Sequence, residues 1–136
     1  MTPFVVDASI CAAWFLPDEA TAATEAALQA TAGSDVWVPA LWFLEMGNLL
    51  LSAHRRKRIT GEKRHELAIA AGALRLKVDR EPVAMSDLDD IAAAHGLSAY
   101  DAAYLELALR RNLPLATQDK ALLSAMVLAG IRAPDL

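Results

Sequence analysis

A three-layer α/β/α domain around a central parallel sheet is the fold class this sequence predicts. Two observations carry the prediction. Short apolar runs such as Phe4-Val5-Val6 and Val36-Trp37-Val38 recur along the chain, and segments with helical spacing separate them throughout. Strands that alternate with helices pair in parallel, and helices then cover both faces of the sheet. The 136 residues suffice for one domain with a sizeable core. No repeat, low-complexity tract or linker divides residues 1–136, so a single domain is expected.

The elements follow in order. Phe4-Val5-Val6 reads as a buried first strand ending at Asp7. Ser9 is placed to cap a short helix through Phe15, which Pro17 stops. Asp18 and Glu19 suit the start of a helix running from Ala20 to Thr31 and ending at Gly33. Val36-Trp37-Val38 is the second strand, and a long helix from Ala40 to Arg56 follows Pro39. Thr60 caps the next helix, with Leu67, Ala70, Ala71 and Leu74 on its inner face. Leu76-Lys77-Val78 and Val83-Ala84-Met85 compete for the third strand. Helices are expected from Ser86 to His95, from Ser98 to Arg111 and from Asp119 to Ala129. The fourth strand lies in Leu113–Thr117, and Ile131 sits in a possible terminal strand.

Composition narrows the functional classes. Hydrophobic residues make up 55% and charged residues 22%, which argues against disorder. The apolar runs fall far short of the ~20 residues a membrane span needs. No basic leader precedes an apolar run, and the single Cys11 cannot form an internal disulfide. Both favour a reducing cytoplasm and no membrane partner. The formal net charge is −4. General nucleic-acid binders are usually basic, so any contact with nucleic acid is expected to be local.

Four acids define the candidate site. In a parallel sheet, ligands bind beyond the carboxyl ends of the strands. Asp7 follows the first strand and Asp119 the fourth, although an aspartate at either place also serves as a helix cap. Glu45 stands among Leu41, Trp42, Phe43, Leu44, Met46, Leu49, Leu50 and Leu51. A helix apolar all round is expected to be buried, and a buried carboxylate needs a base, a proton or a metal. The other reading puts Glu45 on a narrow exposed stripe with Asn48 and Ser52. Asp101 lies three residues after Ser98, as in a capping box. Four carboxylates in one cleft would repel one another, and a hard divalent cation, Mg²⁺ or Mn²⁺, resolves this. His54, His65 and His95 are scattered and form no zinc pattern.

The basic run Arg55-Arg56-Lys57-Arg58 is placed to touch RNA phosphates or an acidic partner. Its other reading is a solvated helix end matched to the helix dipole, and Arg110 and Arg111 invite the same two readings. Trp14, Trp37 and Trp42 read as core residues, with Trp14 and Phe15 alternatively meeting a partner protein.

These residues also carry a family likeness. Val5-Val6-Asp7-Ala8-Ser9 resembles the opening motif of the PIN domain, and Glu45-Met46-Gly47-Asn48 its second. Leu97-Ser98-Ala99-Tyr100-Asp101-Ala102-Ala103-Tyr104-Leu105 is similar to the third, and Leu115-Ala116-Thr117-Gln118-Asp119-Lys120-Ala121-Leu122 to the fourth. The third motif resembles that of VapC toxins from type II toxin–antitoxin modules. The resemblance implies a PIN-like fold and an Mg²⁺-dependent endoribonuclease, usually a homodimer held in check by a cognate antitoxin. It implies Asp7, Glu45, Asp101 and Asp119 as the acidic metal-binding and catalytic positions, supported by Ser9, Asn48 and Thr117. Two rival readings are a silent PIN-like interaction module and a phosphate-handling domain that uses Asp7 as a nucleophile. The first would be expected to lack an acid. The second would want an Asp where Ser9 stands, and a nearby lysine, for which only Lys120 is local.

Overall fold

Alternate residues of the central strand face opposite ways, and this divides the core into two layers. The computed structural model describes residues 2–136. In β1 (Phe4–Val6), Phe4 and Val6 join one apolar cluster with Val36, Val38, Trp42 and Met46. Val5 joins the other, with Tyr104, Leu105, Leu115 and Leu122. The period of two puts one side chain in three on the far face, and helices cover both.

The chain runs β1, α1 (Ala8–Phe15), a 3₁₀ turn (Pro17–Glu19), α2 (Ala22–Ala30), β2 (Val36–Pro39), α3 (Trp42–Arg55) and α4 (Gly61–Gly72). It continues through β3 (Lys77–Asp79), α5 (Met85–His95), α6 (Ala99–Arg111), β4 (Leu115–Ala116) and α7 (Lys120–Ala129). The sheet order is β3-β2-β1-β4 and every pairing is parallel. The predicted three-layer α/β/α architecture is therefore the observed one. The chain builds outward from β1 to β3, then returns across the sheet to place β4 on the other side of β1. That reversal makes the β1–β4 boundary the place where a parallel sheet opens a ligand crevice. Among the described residues no helix is long and apolar enough to cross a membrane.

Several boundaries differ from the sequence reading, each for a local reason. Asp7, not Ser9, caps α1, because β1 ends at Val6 and the Asp7 carboxylate accepts the Ile10 N–H at 3.1 Å. The second helix starts at Ala22, where Thr21 and Thr24 form a reciprocal capping box after the 3₁₀ turn. The third strand is 77–79, and Met85 instead opens α5. Ala71 is buried on α4, but Ala70 is exposed. No strand forms at Ile131: the tail offers β4 only the Arg132 carbonyl, which accepts the Leu115 N–H at 3.0 Å.

α3 is not apolar all round in its setting. Trp42, Met46, Leu50 and Ala53 form its buried stripe, while Leu44 is 75% exposed. Trp14 donates its Nε1–H to the Thr24 carbonyl at 2.8 Å, which ties α1 to α2.

The far edge is held by an ion cluster. The Asp79 side chain, 3% exposed, accepts from Arg110 Nη1 at 3.0 Å and Nη2 at 3.1 Å, and from Arg111 Nε at 2.7 Å. Arg110 also donates to Glu106 at 2.6 Å, and the Arg111 guanidinium lies 3.6 Å from the Trp37 ring centroid. These arginines therefore clamp β3 to α6 and are committed within the fold. Burial alone would push the Asp79 carboxyl up, but the Arg110 and Arg111 hydrogen bonds outweigh it and hold it below its ordinary value. Its stabilising effect is present above the unfolded carboxyl's pKa and is lost as pH falls through the depressed folded value. Two measurements follow from this. Urea unfolding of Arg110→Ala at neutral pH is expected to show a loss of about 2 kcal/mol, because a buried charge loses its bidentate partner. Asp79→Asn is expected to unfold with a weaker pH dependence than the parent protein below about pH 4, the ordinary carboxylate range.

Candidate active site

Asp7 is the most deeply placed of the acids, at 4% exposure. Its own N–H donates to the Ala116 carbonyl of β4 at 3.2 Å, so the end of β1 is registered against the neighbouring strand. One carboxylate oxygen accepts from Ser9 Oγ at 2.7 Å and from the Ile10 N–H, and the other accepts from Thr117 Oγ1. Thr117 Oγ1 in turn accepts the Asp119 N–H at 3.0 Å. Asp119 caps α7 by accepting the Leu122 N–H at 2.9 Å. A chain of short polar contacts thus joins the ends of β1 and β4.

Glu45 and Asp101 come from the opposite wall. Glu45 lies in the first turn of α3 and accepts from the Tyr104 hydroxyl at 2.6 Å. Asp101 lies in the first turn of α6, where Ser98 Oγ accepts its N–H at 3.1 Å. Tyr104 is three residues on from Asp101, hence on the same helix face. Burial, together with the bond to Glu45, pushes the Tyr104 hydroxyl up, so it stays a donor.

A cleft of about 610 Å³ opens between these elements, lined by Asp7, Ser9, Glu45, Asn48, Asp101 and Asp119, with Ala8, Leu41, Leu44, Leu49, Tyr100 and Tyr104. All four predicted acids share it, and no Lys, Arg or His lines it. Burial is the first cause that raises the carboxyls of Asp7, Glu45 and Asp101 above their ordinary values. Their neighbours add to it: Asp101 acts on Asp7, Asp101 and Asp7 act on Glu45, and Asp119 acts on Asp101.

The carboxylates share the cleft without closing on one point. Among the described residues no three His, Cys, Asp or Glu side chains stand close enough together to form a ready ligand cluster. The donor set nevertheless fits a hard divalent cation, being all oxygen and uncompensated by any cationic side chain.

Of the other predicted residues, Ser9 and Asn48 line the cleft, and Thr117 stands behind Asp7. Arg55, Arg56, Lys57 and Arg58 do not reach it. They lie at the far end of α3, with Arg55 about 15 Å along the axis from Glu45 at 1.5 Å per residue. Arg58 is taken up by Asp18 at 2.8 Å and Glu19 at 3.0 Å. Lys120 also lies outside the lining. Sequence reasoning gave no role to Tyr104, although its three-residue spacing from Asp101 was a usable signal.

The sequence profile of the PIN domain family matches residues 4–126. The chain belongs to the PIN domain family. PIN domains are typically nucleases and generally use divalent metal ions. The crystal structure of PAE2754 from Pyrobaculum aerophilum is similar to this PIN domain with a TM-score of 0.66. The two are 24% identical, over 91% of this chain and 84% of that one. At that identity the likeness concerns the fold. No curated protein matches the sequence.

The raised Asp7 carboxyl has a consequence for stability. A folded pKa above the unfolded one contributes stability that is complete below the unfolded pKa and lost as pH rises through the folded value. Asp7→Asn keeps the acceptor for Ile10 and removes the buried charge. In metal-free buffer at neutral pH it is expected to unfold at a higher urea midpoint than the parent protein, with the advantage vanishing in acid. An Asn variant less stable than the parent at neutral pH would contradict the electrostatic account.

Proposed function

We propose that this PIN domain is a metal-dependent endoribonuclease, and that residues 1–136 act as one domain of the VapC toxin type. The observation that carries the reading is the cleft itself: Asp7, Glu45, Asp101 and Asp119 line one concavity that contains no cationic side chain. The third motif, Leu97-Ser98-Ala99-Tyr100-Asp101-Ala102-Ala103-Tyr104-Leu105, supports the toxin type by its likeness to that of VapC toxins. A cognate antitoxin, a homodimeric state and a cytoplasmic setting belong to the same reading and rest on that motif likeness.

Asp7, Asp101 and Asp119 are the carboxylates that would hold Mg²⁺ or Mn²⁺. The bound cation would supply an activated water and charge neutralisation at the scissile phosphate. Ser9 and Thr117 fix the Asp7 carboxylate by hydrogen bonds, which sets its orientation before a cation arrives. Glu45 is held by the Tyr104 hydroxyl and orients the attacking water as acceptor of its proton. Asn48, one turn along α3, faces the same space and offers a neutral donor to substrate.

The test is direct. Purified protein is incubated with single-stranded and structured RNA in Mg²⁺, in Mn²⁺ and in chelator. Cleavage is expected only with metal. Asp7→Asn and Asp101→Asn are each expected to lower it about 100-fold or more, and Thr117→Val between about 10- and 100-fold, the range seen when groups supporting a metal ligand are removed. Cleavage that persists in chelator, or at full rate in Asp101→Asn, overturns the mechanism.

A further inference from the structure

The cleft's charge poses a problem for its substrate. Four carboxylates line it and no cationic side chain does, so no side-chain charge there holds the phosphates that flank the scissile one. The nearby basic run lies at the other end of α3. Affinity for the flanking nucleotides must therefore come from groups that do not need charge. The rim supplies one kind. Tyr100, beside Asp101 in the first turn of α6, is 64% exposed, and Leu44 in the first turn of α3 is 75% exposed. Both line the cleft. The Ser98 cap pins the turn that carries Tyr100. Among the described residues its ring makes no hydrogen bond and no aromatic contact. An aromatic side chain left in water at the mouth of a site is a platform without its load.

We infer that Tyr100 is a substrate-positioning residue that stacks on the base adjoining the scissile phosphate, with Leu44 covering that base from the α3 side. The inference rests on the ribonuclease reading of the same cleft. A base reaches an aromatic face only when it is unpaired and unstacked from its neighbours, so the role requires an unpaired nucleotide beside the cut. It also gives specificity of a tolerant kind, because every base has a face to stack.

The experiment uses a short single-stranded RNA and a set of copies carrying one abasic nucleotide at successive positions around the cleaved bond. Tyr100→Ala is expected to raise KM by about 10- to 100-fold, the loss of one base–aromatic stack, with kcat little changed. Tyr100→Phe is expected to restore it. In the parent enzyme one abasic position next to the cut imposes a similar loss, and in Tyr100→Ala that position imposes none. Tyr100→Trp provides a readout that precedes turnover, since rapid mixing with RNA in Mg²⁺ is expected to quench its fluorescence more than that of the parent.

The outcomes separate. If the parent cleaves RNA but Tyr100→Ala keeps its KM and its abasic profile, the stacking role is overturned and the ribonuclease reading stands. Quenching without cleavage upholds the stacking and overturns the ribonuclease reading. Neither quenching nor cleavage overturns both. A Tyr100→Ala variant that changes oligomeric mass by light scattering, with KM unaltered, shows a protein contact at this face and overturns the proposal.

Discussion

One buried carboxylate organises the working end of this molecule. Asp7 closes β1, caps α1 through the Ile10 N–H, and receives the hydroxyl of Thr117 from the far side of the β1–β4 boundary. The same Thr117 hydroxyl accepts the N–H of Asp119, which caps α7. Four segments, β1, α1, β4 and α7, therefore meet through one side chain and its immediate donors. All of those donors are neutral. They orient the carboxylate and lower the cost of its charge, but they do not cancel it, and burial still holds it above its ordinary value. The strand ends are fixed in place around a charge left to be met from outside.

Helix capping and function use the same atoms here. Asp7 and Asp119 are N-caps, and Glu45 and Asp101 sit in the first turns of α3 and α6. The helices α1, α3 and α7 leave the carboxyl ends of β1, β2 and β4 and so begin at one edge, and α6, which runs back to the start of β4, has its first turn at the same edge. Acids are favoured in those turns because unpaired N–H groups and the helix dipole meet negative charge. The fold thus gathers carboxylates by ordinary helix-start chemistry. What distinguishes the cleft is that several such starts open on the same space, with burial and mutual repulsion raising three of the four carboxyls.

This explains how much of the molecule was legible in its sequence. Caps and strand runs are local, so β1, β2, the Thr60 and Ser98 helix starts and the positions of Asp7 and Asp119 were readable from neighbouring residues. Contacts across long separations were not. Asp79 meets Arg110 and Arg111 across 31 and 32 residues, and nothing near β3 marks the pairing. The reading of Arg110 and Arg111 as possible phosphate contacts failed to see them committed to a buried aspartate. The apolar neighbours of Glu45 left two readings open, a buried carboxylate and an exposed stripe with Asn48 and Ser52, and the structure falls between them: Phe43 and Leu44 point outward and Glu45 is half-buried at a cleft wall. Apolar composition reports the total of greasy side chains on a helix, while its neighbours decide which of them are covered. Tyr104 was hidden for a related reason: only the packing of α6 on α3 shows that its hydroxyl meets a carboxylate.

The two buried aspartates at strand ends set structure and chemistry side by side. Asp79 is the last residue of β3 and Asp7 directly follows β1, and both are almost out of contact with water. Asp79 is met by two guanidinium groups, and its carboxyl falls below the ordinary range. Its charge is spent within the fold, and its role is to hold β3 against α6. Asp7 is met by two hydroxyls and an N–H, and its carboxyl rises. An arginine at that place would give the fold a second clamp and take up the lone pairs that a cation needs. The basic run of α3 stands at the far end of its helix and partly paired to Asp18 and Glu19, so it cannot quench the cleft. Keeping cations away from Asp7 forgoes that clamp, and it is the condition under which the four carboxylates would stay able to receive a metal ion.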